Sequence, residues 1–335
     1  MPVLALAQRI LRQLKHDKRT LALLFVEPLL IMILLNFILS SSTTTMIVAA
    51  VNCPLHYIEK MEENDITVLR MTESEACIAL QEGEIIASVE LLNEKLCVNI
   101  DGSNAGKAAK TIVALEKARA VTLIQSNTEV EYIYGYEDMK TFDNYGAALI
   151  GIIIFFFVFL IAGISFLQER TSGTLDKLLS TPIKRWQIVA GYVLGFGIVM
   201  AIQACLITFF CVYVLGVMLA GEFLLVLLVA ILTAIAALTL GIMLSSIANN
   251  EFQMIQFVPI VVIPQAAFSG LFELPPSLEI IGKCLPIHYT TDALTKVMLK
   301  GEGLLDIGGD LLFLIGCSLL FMTINNLVLK RYREI

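Results

Sequence analysis

Long apolar runs alternate along this chain with short polar, mostly basic intervals. A bilayer core about 30 Å thick is crossed by roughly 20 residues of helix. Six runs reach that length: residues 21–39, 146–167, 188–219, 223–247, 252–274 and 311–329. The third is long enough to tilt or to project beyond the membrane. It is separated from the fourth only by a few residues around Gly221 and Glu222, which suits a tight helical hairpin. Ahead of the first run, Val3, Leu4, Ala7, Ile10, Leu11 and Leu14 recur at helical spacing, with Gln8, Arg9, Arg12, Gln13 and Lys15 on the other side. An amphipathic helix with a basic face is predicted there, lying flat in the inner-leaflet interface.

The interval 41–145 has a different rhythm. Residues 46–51 and 66–71 read as strands, and Thr72 with Glu75 forms a capping box for a helix ending at Gly83. Residues 85–91 and 95–100 read as a hairpin around Asn93 and Glu94, followed by a long helix over about 104–125. The predicted fold is a membrane all-α bundle of six transmembrane helices with an inserted α/β domain between spans one and two. Its parts are an interfacial helix over 1–19, the first span over 20–40, the α/β domain over 41–145 and a five-helix region over 146–335.

Composition narrows the class. Of 335 residues, 57% are hydrophobic and 16% charged, with a mean hydropathy of +0.81. A soluble chain has roughly 45–50% apolar and about 25% charged residues, so part of this surface must face lipid. Cytosolic enzymes, secreted disulfide scaffolds and disordered proteins are excluded. The net charge of −7 divides into −9 over residues 41–145 and +2 over the rest. With a pI near 5.1 and no basic face, no nucleic-acid partner is expected. Of the 15 bases outside the acidic interval, 12 fall in the leader, in the interval between spans two and three, or after span six. The positive-inside rule then places both termini in the cytoplasm and 41–145 outside a bacterial-type plasma membrane. Span one is expected to stay, because its removal would put the tail on the wrong side. The seven cysteines and three histidines show no metal-ligand spacing. Buried thiols are the plain reading; a disulfide among Cys53, Cys77, Cys97 and Cys284 stays open for an oxidising compartment.

The sharpest segment runs over 168–187. Leu175, Leu178 and Leu179 put a small apolar face on a short helix over about 173–180, which Pro182 stops, and Trp186 suits the membrane interface. Such a helix is either a docking element for a soluble partner or an interfacial helix touching headgroups. Periodicity alone leaves both open. The string Glu169-Arg170-x-x-Gly173-Thr174-Leu175-x-x-Leu178-Leu179-x-x-Pro182, followed by Trp186, resembles the signature of ATP-binding-cassette type-2 export permeases. Phe268-Ser269-Gly270-Leu271-Phe272 and Leu285-Pro286-x-x-Tyr289-x-x-Asp292-Ala293-Leu294 are similar to later parts of that family, in the expected order. The layout resembles its members with a large extracytoplasmic domain after span one. The resemblance implies a permease, not itself an enzyme, working as a dimer with a second copy of itself or a related permease. It implies a cytoplasmic ATP-binding-cassette ATPase dimer as partner, a coupling helix over 169–180, an elbow helix over 3–15 and an outer re-entrant segment over 275–300.

No cofactor is expected on this chain, and ATP with magnesium is expected on the partner subunit. The nearest approach to a phosphate loop, over 102–108, has one residue too few between its glycines and Ala108 where a hydroxyl should hold magnesium. Within the spans, Glu27 lies about 12 Å along the helix from Arg19 at 1.5 Å per residue. A carboxylate there is a functional candidate, and pairing across helices is its plain alternative. Pro259 and Pro264 should bend span five. With Gln256, Gln265, Phe156 and Phe159 they are candidates for a substrate path, against the plain reading of interhelical bonding and lipid contact. Gly191 and Gly195 allow a close helix approach. The function expected is export of an amphipathic or lipid-like substrate (drug, antimicrobial or lipid) by alternating access amid membrane lipids. The alternatives are a membrane receptor whose outer domain senses a ligand, and a proton-coupled secondary transporter.

Overall fold

The computed structural model describes residues 2–40, 46–64, 66–82, 84–92, 95–100, 141–271 and 280–331, with Thr111, Ala114, Leu115 and Ala118 between them. Two helices open the chain: α1 (Pro2–His16) and α2 (Lys18–Ser40). They break at Asp17, whose carboxylate accepts the Thr20 amide at 3.2 Å and the Thr20 hydroxyl at 2.6 Å. This supplies the donors at the start of span one with a partner outside the helix.

Residues Ser41–Glu131 form one compact unit, and the remaining residues on both sides form the other. The first holds β1 (Met46–Val51), α3 (Leu55–Glu63), β2 (Ile66–Arg70), α4 (Glu73–Glu82), β3 (Ala87–Leu92) and β4 (Lys95–Ile100). Its sheet has the order β2-β1-β3-β4, with β1 parallel to β2 and β3, and β4 antiparallel to β3. The buried strand residues alternate between faces. Val48, Ala50 and Val89 pack with Tyr57, Ile58 and Met61 of α3 and with Leu115, while Ala49 and Val51 pack with Ala76 and Ala79 of α4. The capping box is present: the Thr72 amide donates to Glu75 at 2.9 Å and the Glu75 amide to Thr72 at 3.4 Å. The Thr72 bonds hold the Glu75 carboxyl below its ordinary value. The hairpin turn, most of the 104–125 helix and the 102–108 loop lie outside the described residues. Cys77, Cys97 and Cys284 are exposed, and the half-buried Cys53 thiol donates to the Val89 carbonyl at 3.3 Å.

Among its described residues the second unit holds six helices long and apolar enough to cross a membrane: Thr20–Ile38, Tyr145–Thr171, Arg185–Tyr213, Phe223–Ser245, Glu251–Ser269 and Gly308–Leu329. Span two belongs to α5 (Thr141–Thr171), which starts before the expected boundary at 145, with Phe142 and Asp143 already buried in it. A six-residue helix, α6 (Thr174–Leu179), precedes α7 (Arg185–Phe209) of span three and α8 (Phe223–Ser245) of span four. Span three is shorter than its apolar run. After one π-helical turn over Phe210–Val214 the chain leaves the helix at Gly216, where φ is +72°. Val217 then tucks against Gly146, and the Met218 amide donates to Asp143 at 3.1 Å. The run exceeds the span because its last residues pack on the start of span two.

Span five consists of α9 (Glu251–Phe257), a π turn over Val258–Val262, α10 (Ile263–Ala266) and a second π turn over Ala267–Leu271. Pro259 and Pro264 have no amide hydrogen to give, and the widened turns absorb that loss. Beyond the undescribed residues 272–279, α11 (Pro286–Lys300) packs against spans two and four, with Thr290 and Thr233 hydroxyls 2.9 Å apart. Lys296 ties α11 to the head of α12 (Gly308–Arg331), meeting Asp292 at 2.7 Å and Asp310 at 3.0 Å. Burial alone would lower its pKa, but the two carboxylates outweigh it and hold Lys296 above its ordinary value.

Spans two and four are the centre of the bundle, crossing where Gly163 and Gly241 meet. A Cβ added at Gly241 would lie 2.6 Å from the Phe159 carbonyl oxygen, which is rigid backbone. Small residues let membrane helices approach to this distance. Gly241→Val should therefore force the crossing open, costing about 1–3 kcal/mol as over-packing does. Gly197→Ala, whose added carbon would meet only Leu238 at 3.6 Å, should be neutral or slightly stabilising. Thermal unfolding of the purified chain in detergent separates the two.

Candidate functional site

The segment singled out by sequence lies where span two runs past its apolar stretch. At its end Glu169 is 4% exposed, and a carboxylate this buried requires partners. It has two. The Arg9 guanidinium, brought by α1, donates to it, and so does the Tyr192 hydroxyl of span three, at 2.9 Å. Burial by itself would lower the pKa of Arg9, but Glu169 outweighs it and holds Arg9 above its ordinary value. The next residue, Arg170, turns the other way and donates to the carbonyl oxygens of Ser246 and Ala248, just past the last turn of α8. A cation there satisfies carbonyls and complements the helix dipole. Gln168 reaches Glu251 at the head of span five, at 2.8 Å.

Gly173 takes φ +72° and leads into α6. This left-handed turn doubles the chain back, and an added Cβ would meet nothing within 4 Å, so glycine is needed there for its backbone alone. Thr174 opens α6. Leu175 and Leu179 are buried, and Leu175 lies among Phe166, Val189 and Ile242. The expected outward apolar face is thus corrected. Leu175 and Leu179 turn inward with Leu178 half-buried, because three hollow-filling leucines gain more against the bundle than in water. What faces outward is polar: Thr171, Ser172, Asp176, Lys177 and Ser180, with Pro182 and Trp186 beyond.

The glycine pair of span three has a different partner from another span. A Cβ at Gly191 would lie 2.7 Å from Leu6, and one at Gly195 would lie 3.0 Å from Ile10. The two glycines form the bed in which α1 sits, which sets Arg9 over Glu169.

The candidate path residues are not brought together as one set. Phe159 is fully buried and stacked with Phe155, and Gln265 is 3% exposed with its amide oxygen unpaired among the described residues. Phe156 is half-buried, whereas Gln256, Pro259 and Pro264 face outward from the protomer. Span one packs on spans two and three, span five on spans two and four. One stripe of span two is less buried than the rest, with Tyr145 exposed and Leu149, Ile152, Phe156, Leu160 and Ile164 half-buried. Glu27 is exposed on span one. The pairing of Arg9 and Tyr192 with Glu169 was not assigned from sequence. Arg9 was visible only as one base on an amphipathic face, and Tyr192 carried no signal.

A family model described as ABC-2 type transporter matches residues 110–299, more than half of the chain. The chain is 27% identical over 201 residues to ABC transporter G family member 20 of Dictyostelium discoideum, an alignment covering 58% of this chain and 28% of that protein. It is 26% identical over 161 residues to Probable multidrug ABC transporter permease YbhR of Escherichia coli strain K12, covering 47% and 44%. It is 24% identical over 226 residues to Linearmycin resistance permease protein LnrN of Bacillus subtilis strain 168, covering 66% and 58%. The alignments therefore span less than two thirds of each relative's length.

Removing Arg9 strands a buried carboxylate. Arg9→Ala should cost about 3 kcal/mol, the low end for a broken buried pair, because Arg9 keeps a third of its side chain open. Combining it with Glu169→Gln should cost less than Arg9→Ala alone, and thermal unfolding in detergent of the single and double variants checks the order.

Proposed function

We propose, for a chain that belongs to the ABC-2 type transporter family, the work of a membrane permease subunit. It exports an amphipathic or lipid-like substrate from the cytoplasm or inner leaflet by alternating access, driven by ATP hydrolysis on separate ATPase subunits. The observation that carries this reading is the stapling of the 169–180 segment. Glu169 joins it to α1 and span three, Arg170 to the end of span four, and Leu175 and Leu179 to the bundle interior.

A force applied to the outward side of α6 would therefore not bend a loose loop. It would be delivered to α1 and to spans two, three and four together. The exposed charges Asp176 and Lys177 are the docking features for an ATPase, in place of the leucines. ATP binding would close the partner ATPases, and the paired closure would move this body of helices between inward-open and outward-open arrangements. The bias of Lys and Arg toward one side supports a cytoplasmic docking face and an extracytoplasmic α/β unit. The weakly buried spans one, five and six leave room for a second permease, identical or related, and for lipid.

Tagged chain purified gently from its host should bring an ATP-binding-cassette ATPase with it in stoichiometric amount by mass spectrometry. Asp176→Lys with Lys177→Glu should lower that recovery at least tenfold while the permease elutes unchanged. A folded permease that brings no ATPase would overturn the assignment.

A further inference from the structure

Glu27 occupies a position that neither the bundle nor the coupling segment uses. It lies seven residues past Thr20, the first residue of span one, which is about 10 Å into the membrane at 1.5 Å per residue. Its side chain faces outward from the protomer, and among the described residues it makes no hydrogen bond or ion pair. Along the same face stand Leu23, Leu30, Leu34 and Phe37, all more than half exposed. An unpaired carboxylate turned toward hydrocarbon is costly, and such residues mark substrate or ion pathways.

A second polar group stands at a similar depth. Thr20 and Gln168 line one small hollow, and Gln168 is bonded to Glu251 at the head of span five. The starts of spans one and five and the end of span two are thus at one level. Gln256, outward-facing, lies five residues past Glu251, or about 7.5 Å. Leu160 and Ile164 of span two, both half-buried, lie at that depth. At this level the protomer presents an exposed carboxylate on span one and an exposed amide on span five amid apolar side chains.

We propose that Glu27 is the anionic anchor of a site for an amphipath carrying a single positive charge, such as a quaternary ammonium or phosphonium group, entering from the inner leaflet. Its direction of travel rests on the permease reading above; its binding does not. Charge complementarity selects the occupant. A neutral lipid leaves the carboxylate unpaired, an anionic one repels it, and a zwitterionic one brings a phosphate beside it. A second copy of the chain is a poorer neutraliser, since among the described residues no lysine or arginine lies more than two residues inside either end of any span.

The probe is tritiated tetraphenylphosphonium, a lipophilic cation, measured by equilibrium dialysis against the purified full chain in dodecyl maltoside. Saturable binding is expected, weakened at least tenfold by Glu27→Gln, largely kept by Glu27→Asp and unchanged by Glu222→Gln, with all variants eluting alike. Absence of saturable binding to the unaltered chain, or equal binding by Glu27→Gln, would overturn the site. So would a Glu27→Gln chain that passes from dimer to monomer by light scattering with binding intact, which would give the carboxylate to a second copy. ATPase recovery is read separately, on the unaltered chain. If the unaltered chain brings its ATPase but binds no cation, the site falls and the permease role stands; if it binds the cation through Glu27 while no ATPase is recovered, the reverse applies.

Discussion

A carboxylate buried at the end of a membrane helix must be paired, and the end of the bundle where α1 meets spans two and three is organised around that requirement. Glu169 cannot be solvated where it lies, so a cation and a hydroxyl come to it from two other elements. Bringing Arg9 within reach demands that α1 lie against span three, and that demands glycine at 191 and 195. The pair is not a strong source of stability, since desolvation offsets much of its attraction. What it fixes is register: α1, span two and span three can meet in this way at one setting only, because any slip leaves a charge unmatched.

The membrane region divides by burial into a tight core and loose flanks. Spans two and four cross at backbone distance through Gly163 and Gly241, while span six is held to span four through an Asn325 amide bonded to the Thr239 carbonyl at 3.0 Å. In spans one and five only 17% and 22% of the apolar stretch is buried, against 72% in span two. Lipid tails are as apolar as leucine, so such flanks are not driven against the core by a hydrophobic effect. Their positions depend on what else stands beside them, which is the property expected of walls rather than of a scaffold.

Much of this was legible in the sequence, because membrane crossing is set by length and apolarity. The six spans, the amphipathic α1, the Thr72–Glu75 cap and the strands at 46 and 66 all follow from sequence pattern, whereas the parallel pairing of those strands does not. The end of span three did not, because Val217 is apolar whether it faces lipid or packs against Gly146. The 169–180 segment stood out by its residues, but the side its leucines face was not legible. Helical spacing tells that Leu175 and Leu179 share a face, and only the doubling back at Gly173 decides that this face points inward. Among the path candidates, hydropathy could not separate buried Phe159 from half-open Phe156, three residues away on the same helix.

The two π-helical turns of span five give that helix more lengthwise freedom than span three, which has one such turn at its end. Each wide turn holds one residue more than an α turn, and such a bulge can travel along a helix as its hydrogen bonds are exchanged in sequence. Passing one residue rotates that side chain by about 100° while both ends of the helix stay in place. Between Val258 and Leu271 this would exchange outward residues such as Ile263 for inward ones such as Gln265, whose amide oxygen already lacks a donor. A shift of one such turn would thus alter which chemistry span five presents to the membrane without any rigid-body displacement, as a dial turns within a fixed housing.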